Sequence, residues 1–310
     1  MHRLLRYGMS KKKLRGYREF LYVLPFIILV LIFAYYPLYG WVYAFYDYKP
    51  PTPLSASPFV GFKWFHYMID NDVKRKQLMQ VLMNTFAVSG LSMLFSWFPM
   101  MFAVFLNEIK CKPYKKFVQT VTTLPNFISW VLVYSIAFCV FNSTGVVNSL
   151  MTSWGIIDKP IMFLQSSKHI WFKMWLWLTW KNAGWAAIMY IAAITGIDEE
   201  LIDAAKVDGA NRWKTIWHIT IPSILPTYLV LLFLNMANFL SNGMEQFYVF
   251  QNSFNTKYIQ VLDLYVYNLA MGNGGYSLST AIGVLKSLIS IVLLCSMNAI
   301  AKLTRGEGFI

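Results

Sequence analysis

Charge is scarce in this sequence. Of its 310 residues only 13% are Asp, Glu, Lys or Arg, whereas a soluble domain carries about 25% to keep its surface wetted. That shortfall excludes an ordinary water-soluble enzyme and a disordered chain. Cysteine is scarcer still. Cys111, Cys139 and Cys295 lie far apart and form no CxxC, which excludes a disulfide-built secreted scaffold and predicts reduced, structural thiols. Catalytic signatures are missing too. The sequence has no GxxxxGK[ST] phosphate loop, so this chain is not expected to bind ATP, and it has no HExxH, GxSxG or clustered Cys/His set. His2, His66, His169 and His218 are scattered and read as surface or interface side chains. No catalytic residue, metal site or cofactor of its own is expected.

What is present is apolar. The AVILMFWYC residues make up 57% of the chain and aromatics 18%, with mean hydropathy +0.47. Charge-free runs of membrane-spanning length predict six helices, at about 20–46, 80–107, 117–141, 170–196, 222–247 and 278–301. Backbone groups without water must bond within their own segment, which makes the fold all-α; the chain lacks the alternating tracts of a membrane barrel. The first run is too long for a signal h-region and no small-residue cleavage site follows it, so it reads as a retained helix.

Six spans put both ends on one side. Segments 1–19, 108–116, 197–221 and 302–310 hold 16 Lys and Arg, against 8 in segments 47–79, 142–172 and 248–277. Basic residues collect on the cytoplasmic side, so both termini are placed there and the net charge of +13 reads as orientation rather than nucleic-acid binding. The basic residues Arg3, Arg6, Lys11, Lys12, Lys13, Arg15 and Arg18 are expected to meet lipid headgroups. Lys49, Lys63, Lys74, Arg75 and Lys76 run against the bias, and Val73–Gln77 reads as a solvated loop or an interfacial segment. The predicted organisation is a basic segment 1–19, a first helix and outer loop 20–79, a core 80–303 containing a long inner loop 197–226, and a tail 304–310.

That inner loop is polar yet patterned. Leu201, Ile202, Ala205 and Val207 recur at helical spacing, with Glu199, Glu200, Asp203 and Lys206 largely off that face. Asp198 is placed to cap the helix, Gly209 to reverse the chain, and Asn211 to cap a second short helix with Trp213, Ile216 and Trp217 as anchors. A mere connector needs about two to eight residues. The pattern therefore suits either docking to a cytoplasmic partner or resting on lipid.

The run Asp203-Ala204-Ala205-Lys206-Val207-Asp208-Gly209-Ala210, followed by Ile219-Thr220-Ile221-Pro222, resembles the EAA loop of binding-protein-dependent ABC importer permeases, with Asp203 in place of the Glu. Phe59-Val60-Gly61-Phe62, after the first helix, and Asn84-Thr85, opening the second span, resemble the corresponding segments of such permeases. Leu124-Pro125-Asn126-Phe127-Ile128-Ser129-Trp130, Gly145-Val146-Val147-Asn148, Gly184-Trp185 and Tyr276-Ser277 are similar to the LplB-like polysaccharide and oligosaccharide branch. The resemblance implies a type I ABC importer permease fold in the bacterial cell membrane. It implies that Asp203, Ala204, Ala205, Asp208, Gly209, Ala210, Arg212 and Pro222 couple to an ATPase. It also implies a second homologous permease, a cytoplasmic ATPase dimer that binds ATP and Mg, and an extracellular solute-binding lipoprotein delivering an oligosaccharide. A permease for a peptide or amino acid, an ion-coupled secondary transporter and a membrane-embedded enzyme are the rival readings; the last two lack midplane carboxylates and a catalytic set.

Polar residues inside spans are costly and often functional. Lys181, Asn182 and Trp185 mark the fourth predicted helix and Lys286 the sixth. Asn235, Asn238, Asn242 and Glu245 form a stripe on the fifth. These residues are expected either to line a substrate pathway, with Trp175 or Trp185 stacking on sugar rings, or to tie helices together, Lys181 or Lys286 pairing with Glu245. Gly272–Gly275 reads as a turn.

Overall fold

The computed structural model describes residues 2–305, and within that range all side chains except those of residues 2–15, 273, 300, 304 and 305. The side chains of His2, Arg3, Arg6, Lys11, Lys12, Lys13 and Arg15, and the tail beyond residue 305, lie outside the described residues. Among the described residues there are helices and one isolated bridge, Tyr46 to Phe59, with no strand.

The chain opens with α1 (His2–Val30), which continues through a π-turn at Leu31–Tyr35 and a 3-10 stretch at Tyr36–Phe45. Pro37 stands at the start of that stretch, where its missing N–H cannot serve the α-helical ladder. The apolar stretch Gly16–Phe45 has no buried residue in its most apolar part. After α2 (Lys63–Asp70) comes α3 (Asp72–Leu94), capped by the Asn71 side chain on the Lys74 amide at 3.0 Å. Val73–Gln77 is thus helix rather than loop, and α3 starts about two turns before the predicted start at 80. A turn at Phe95–Trp97 leads into α4 (Phe98–Asn107).

The predicted third span is broken. It comprises α5 (Lys112–Thr123), a 3-10 turn at Leu124–Phe127 and α6 (Trp130–Phe141), followed by α7 (Val146–Ser153). Pro125 removes a donor at the turn, and Ser129 restarts the helix by accepting the Leu132 amide. Next is α8 (Ile170–Thr195), which packs against α3, α4, α5 and α11. The remainder is α9 (Glu199–Val207), α10 (Arg212–Thr215), a π-turn at Ile216–Thr220, α11 (Ile221–Ala237), α12 (Glu245–Phe250), α13 (Thr256–Ile259), α14 (Leu262–Asn273) and α15 (Tyr276–Arg305). Gly274 ends α14 with φ +62°, and the Gly275 amide donates to Leu269 O at 3.0 Å, so the expected turn falls at Gly274 and Gly275, while Gly272 and Asn273 belong to the helix.

Among the described residues five stretches are long and apolar enough to cross a bilayer: Gly16–Phe45, Asp72–Asn107, Trp130–Ser153, Arg212–Ala237 and Tyr276–Leu303. α8 matches them in length, at 26 residues, but carries Lys173 and Lys181. Its packing explains this departure. α8 is exposed at Phe172, Leu176, Trp180, Trp185 and Met189, whereas Lys181 is buried on a side packed against other helices, which can carry polar groups that a lipid-facing side cannot. The crossing of α8 with α5 is close: a Cβ on Gly184 would sit 2.1 Å from Thr122 O. A core of Met100, Ala103 and Val104 with Ala187, Tyr190 and Ile194 joins α4 to α8, and Ile216 and Ile224 complete it at the foot of α11. Cys111, Cys139 and Cys295 are unpaired and exposed, which corrects the expectation of structural thiols.

Candidate functional site

Two features are candidates for functional chemistry, the loop between α8 and α11 and a cavity between α3, α4, α8 and α11. In the loop the predicted caps are in place. Asp198 accepts the Glu200 amide at 3.0 Å, and Asn211 accepts the Lys214 amide at 2.9 Å. Two bonds close the C-terminus of α9: Ala210 N–H to Ala205 O at 2.8 Å and Gly209 N–H to Lys206 O at 3.1 Å. This pair is the Schellman arrangement, which needs a left-handed residue between helix and exit; Gly209 supplies it with φ +73°. Ala205 is buried and Ile202 half-buried, while Asp203, Ala204, Asp208, Gly209, Arg212 and Pro222 are exposed and Ala210 half-exposed. Val207 is 88% exposed, off the face made by Ile202 and Ala205. Of the three expected anchors only Ile216 is buried; Trp213 and Trp217 face outward, Trp213 edge-on to Phe105. Asp203 pairs with Lys206 at 2.7 Å on the surface. The result is a rigid, capped double turn presenting alanines, carboxylates and indoles away from the bundle.

The cavity has a volume of about 580 Å³. Its wall contains Asn182 from α8, Asn235 from α11, and Asn238 and Asn242 beyond it. Ser89, Ser92 and Ser96 enter from the α3–α4 side, and Trp175 and Phe95 form an aromatic side with ring centroids 4.5 Å apart. Among the described residues no Asp, Glu, Lys, Arg or His lines it. Ser92 Oγ is buried with no hydrogen-bond partner among the described residues, leaving a donor and an acceptor unclaimed beside the cavity.

The remaining candidates lie elsewhere. Lys181 is 7% exposed and does not line the cavity. Its ammonium donates to the carbonyls of Pro125, Asn126 and Ile128 at 3.0, 2.7 and 2.8 Å, with the Trp130 ring 5.5 Å away. The break in the third span is thus satisfied by a lysine from α8. Next to it, Asn126 Nδ2 donates to Asn182 Oδ1 at 3.0 Å and orients that cavity residue. Trp185 is half-exposed and meets Phe127 edge-on outside the cavity. Glu245 is exposed at the start of α12. The expected continuous stripe on the fifth helix does not form, because α11 ends at Ala237 and Gly243 adopts φ +75°. Its three asparagines converge on the cavity all the same. Lys286 pairs with Asp263 and not with Glu245.

Sequence reasoning passed over Ser89, Ser92 and Ser96, although their spacing of three and four is the signal of one helical face. Asp263 carried no such signal, since its partners come from Lys286 and from the Gly243 amide. Among the described residues no group of His, Cys, Asp and Glu is placed to hold a metal ion.

An all-helical bundle of lipid-crossing length, with an uncharged polar cavity and a capped loop at one end, defines a multi-pass membrane transport subunit. Residues 97–306 match the family described as binding-protein-dependent transport system inner membrane component, and the chain belongs to that family. It is 38% identical over 293 residues to protein LplB of Bacillus subtilis (strain 168), covering 93% of this chain and 90% of the relative. It is 36% identical to the polygalacturonan/rhamnogalacturonan transport system permease protein YteP of the same organism, with coverage of 93% and 89%. The fold matches a chain of a bacterial alginate ABC transporter, crystallised with an alginate pentasaccharide-bound periplasmic protein, at TM-score 0.84 and 32% identity, covering 96% of this chain and 98% of that one.

Proposed function

We propose that this chain is a permease subunit of an ATP-driven importer and forms half of the passage for an oligosaccharide or polysaccharide fragment delivered by an extracellular binding protein. The observation that carries the proposal is the cavity. Hydroxyls and carboxamides in an uncharged, partly aromatic wall suit sugar recognition, because each hydroxyl of a sugar can both donate and accept while ring faces stack on aromatics. Relatives named for glycan transport support the same substrate class.

In this reading α8 is the sixth span, the termini face the cytoplasm, and the loop 197–226 docks on an ATPase dimer that holds ATP and Mg. Asp203, Ala204, Ala205, Asp208, Gly209, Ala210, Arg212 and Pro222 form the docking element, and Asn182, Asn235, Asn238 and Asn242 face the solute. A second permease supplies the other half of the passage. Closure of the ATPase pair pulls on the capped loop, which is joined to α4 and α8 through Ile216 and Ile224, so that the motion reaches the cavity walls. The test is purification of the tagged chain from its own membrane followed by reconstitution. Co-purification with an ATPase and a second permease, and oligosaccharide uptake that requires ATP, are expected. Solute movement by this chain alone without ATP would refute the proposal.

A further inference from the structure

Between α11 and α12 the backbone leaves helical geometry over Asn238–Met244. Irregular backbone at membrane depth survives only where protein encloses it or where it borders a water-filled space. Here Asn238, Phe239, Ser241 and Asn242 border the cavity, so the loop forms part of its wall.

The loop is held from two directions. On the α3 side, Ser89 Oγ donates to Phe239 O at 2.5 Å and accepts from Asn242 Nδ2 at 2.9 Å. On the opposite side the Gly243 amide donates to Asp263 Oδ2 at 2.9 Å, while Asp263 Oδ1 is paired with Lys286 Nζ. Asp263 stands in the first turn of α14 and Lys286 on α15, and their side chains are only 20% and 19% exposed. A carboxylate so placed is costly unless a cation compensates it. Once compensated, it makes a hydrogen bond about twice as strong as a neutral acceptor would. The φ of +75° at Gly243 turns the backbone so that its N–H meets the carboxylate.

We propose that Asp263 and Lys286 are positioning residues for the cavity wall. Together they anchor the outer side of the Asn238–Met244 loop and fix how Asn238 and Ser241 project into the cavity. The inference rests on the transport reading for its significance, while its geometry is tested independently of transport.

The experiment uses the assembled transporter with Cys111, Cys139 and Cys295 replaced by alanine. A single Ser241→Cys reports the loop, and a single Thr179→Cys on α8 reports the opposite wall. Asp263→Ala and Lys286→Met are each expected to mobilise a spin label at position 241 and to speed its reaction with a water-soluble maleimide on the order of tenfold. Position 179 stays unchanged. Asp263→Asn, the milder variant, shifts position 241 in the same direction by less, and Lys286→Arg restores slow labelling. Unchanged labelling at position 241 in Asp263→Ala overturns the anchor, and so does an equal change at both positions, which is general loosening. Because the labels report the loop whether or not solute moves, this failure is read separately from failure of ATP-dependent uptake.

Discussion

The ammonium of Lys181 lies 2.7 Å from the carbonyl oxygen of Asn126, and that contact decides what the lysine does. A protonated lysine has three donors, and the carbonyls of Pro125, Asn126 and Ile128 occupy all three. Its charge is spent on a break in a neighbouring helix and is withheld from the cavity. Lys181→Met takes the ammonium from all three and leaves Pro125 O with the Ile128 amide at 3.4 Å, at about 1–3 kcal/mol for each carbonyl left unpaired. The purified transporter is expected to melt roughly 5–10 °C lower in detergent. Uptake of neutral and acidic oligosaccharides should fall together; a loss confined to the acidic sugar would place the charge in the pathway after all.

The crossing of α5 and α8 tolerates no side chain at Gly184. An added Cβ would meet Thr122 O at 2.1 Å and Thr122 C at 2.4 Å, and both are backbone atoms held in a helix. Gly184→Ala must push the helices apart, at a cost of about 1–3 kcal/mol or more. The expected outcome is a lower yield of folded protein and a lower melting temperature, checked by fluorescence-detected size exclusion. A wild-type melting curve would show that the crossing relaxes without cost.

At the loop between α9 and α10, Gly209 combines a positive φ with an amide bonded to Lys206 O. Gly209→Pro removes that N–H and requires a negative φ, so the double turn cannot form. The assembled complex is expected to hydrolyse ATP without importing solute. Reversing charge at Asp203 and Asp208, both exposed, should act in the same direction. Unimpaired uptake in either variant would remove the coupling role.

Ser92 separates stability from function. Its hydroxyl is buried and unpartnered, so Ser92→Ala relieves an unmet polar group and is expected to hold or raise the melting temperature, by up to about 1–3 kcal/mol of stability. If the cavity carries sugar, the same change raises the KM for uptake. A variant equally active and equally stable would show that the hydroxyl meets no solute.

The loop was the most legible part of the molecule, because capping and chain reversal are local. Asp198 and Asn211 cap through their side chains and Gly209 reverses the chain for want of one, all within a few residues. The ends of α8 were readable to within a residue, whereas α15 extends beyond its predicted 278–301 at both ends, to Tyr276 and Arg305. The breaks in the third and fifth spans were not legible. Pro125 is compatible with a kink or a helix start, and it becomes a 3-10 turn because Lys181, 56 residues away in sequence, is there to satisfy the freed carbonyls. Asn235, Asn238 and Asn242 were found as a group through helical spacing, yet they share the cavity through a loop that departs from it. Asp263 was invisible for the same reason, its meaning being fixed by partners 20 and 23 residues away.

The absence of charge from the cavity wall has an electrical consequence. An inorganic ion entering between Ser92, Asn182 and Asn235 would exchange its hydration shell for hydroxyl and amide dipoles with no countercharge to meet it, a costly transfer. A sugar carries its own donors and acceptors and suffers no such loss. On the proposed reading, this chain's half of the passage can take a bulky polyol while offering small cations and protons no countercharge, so that its wall would act as insulation as well as a binding surface.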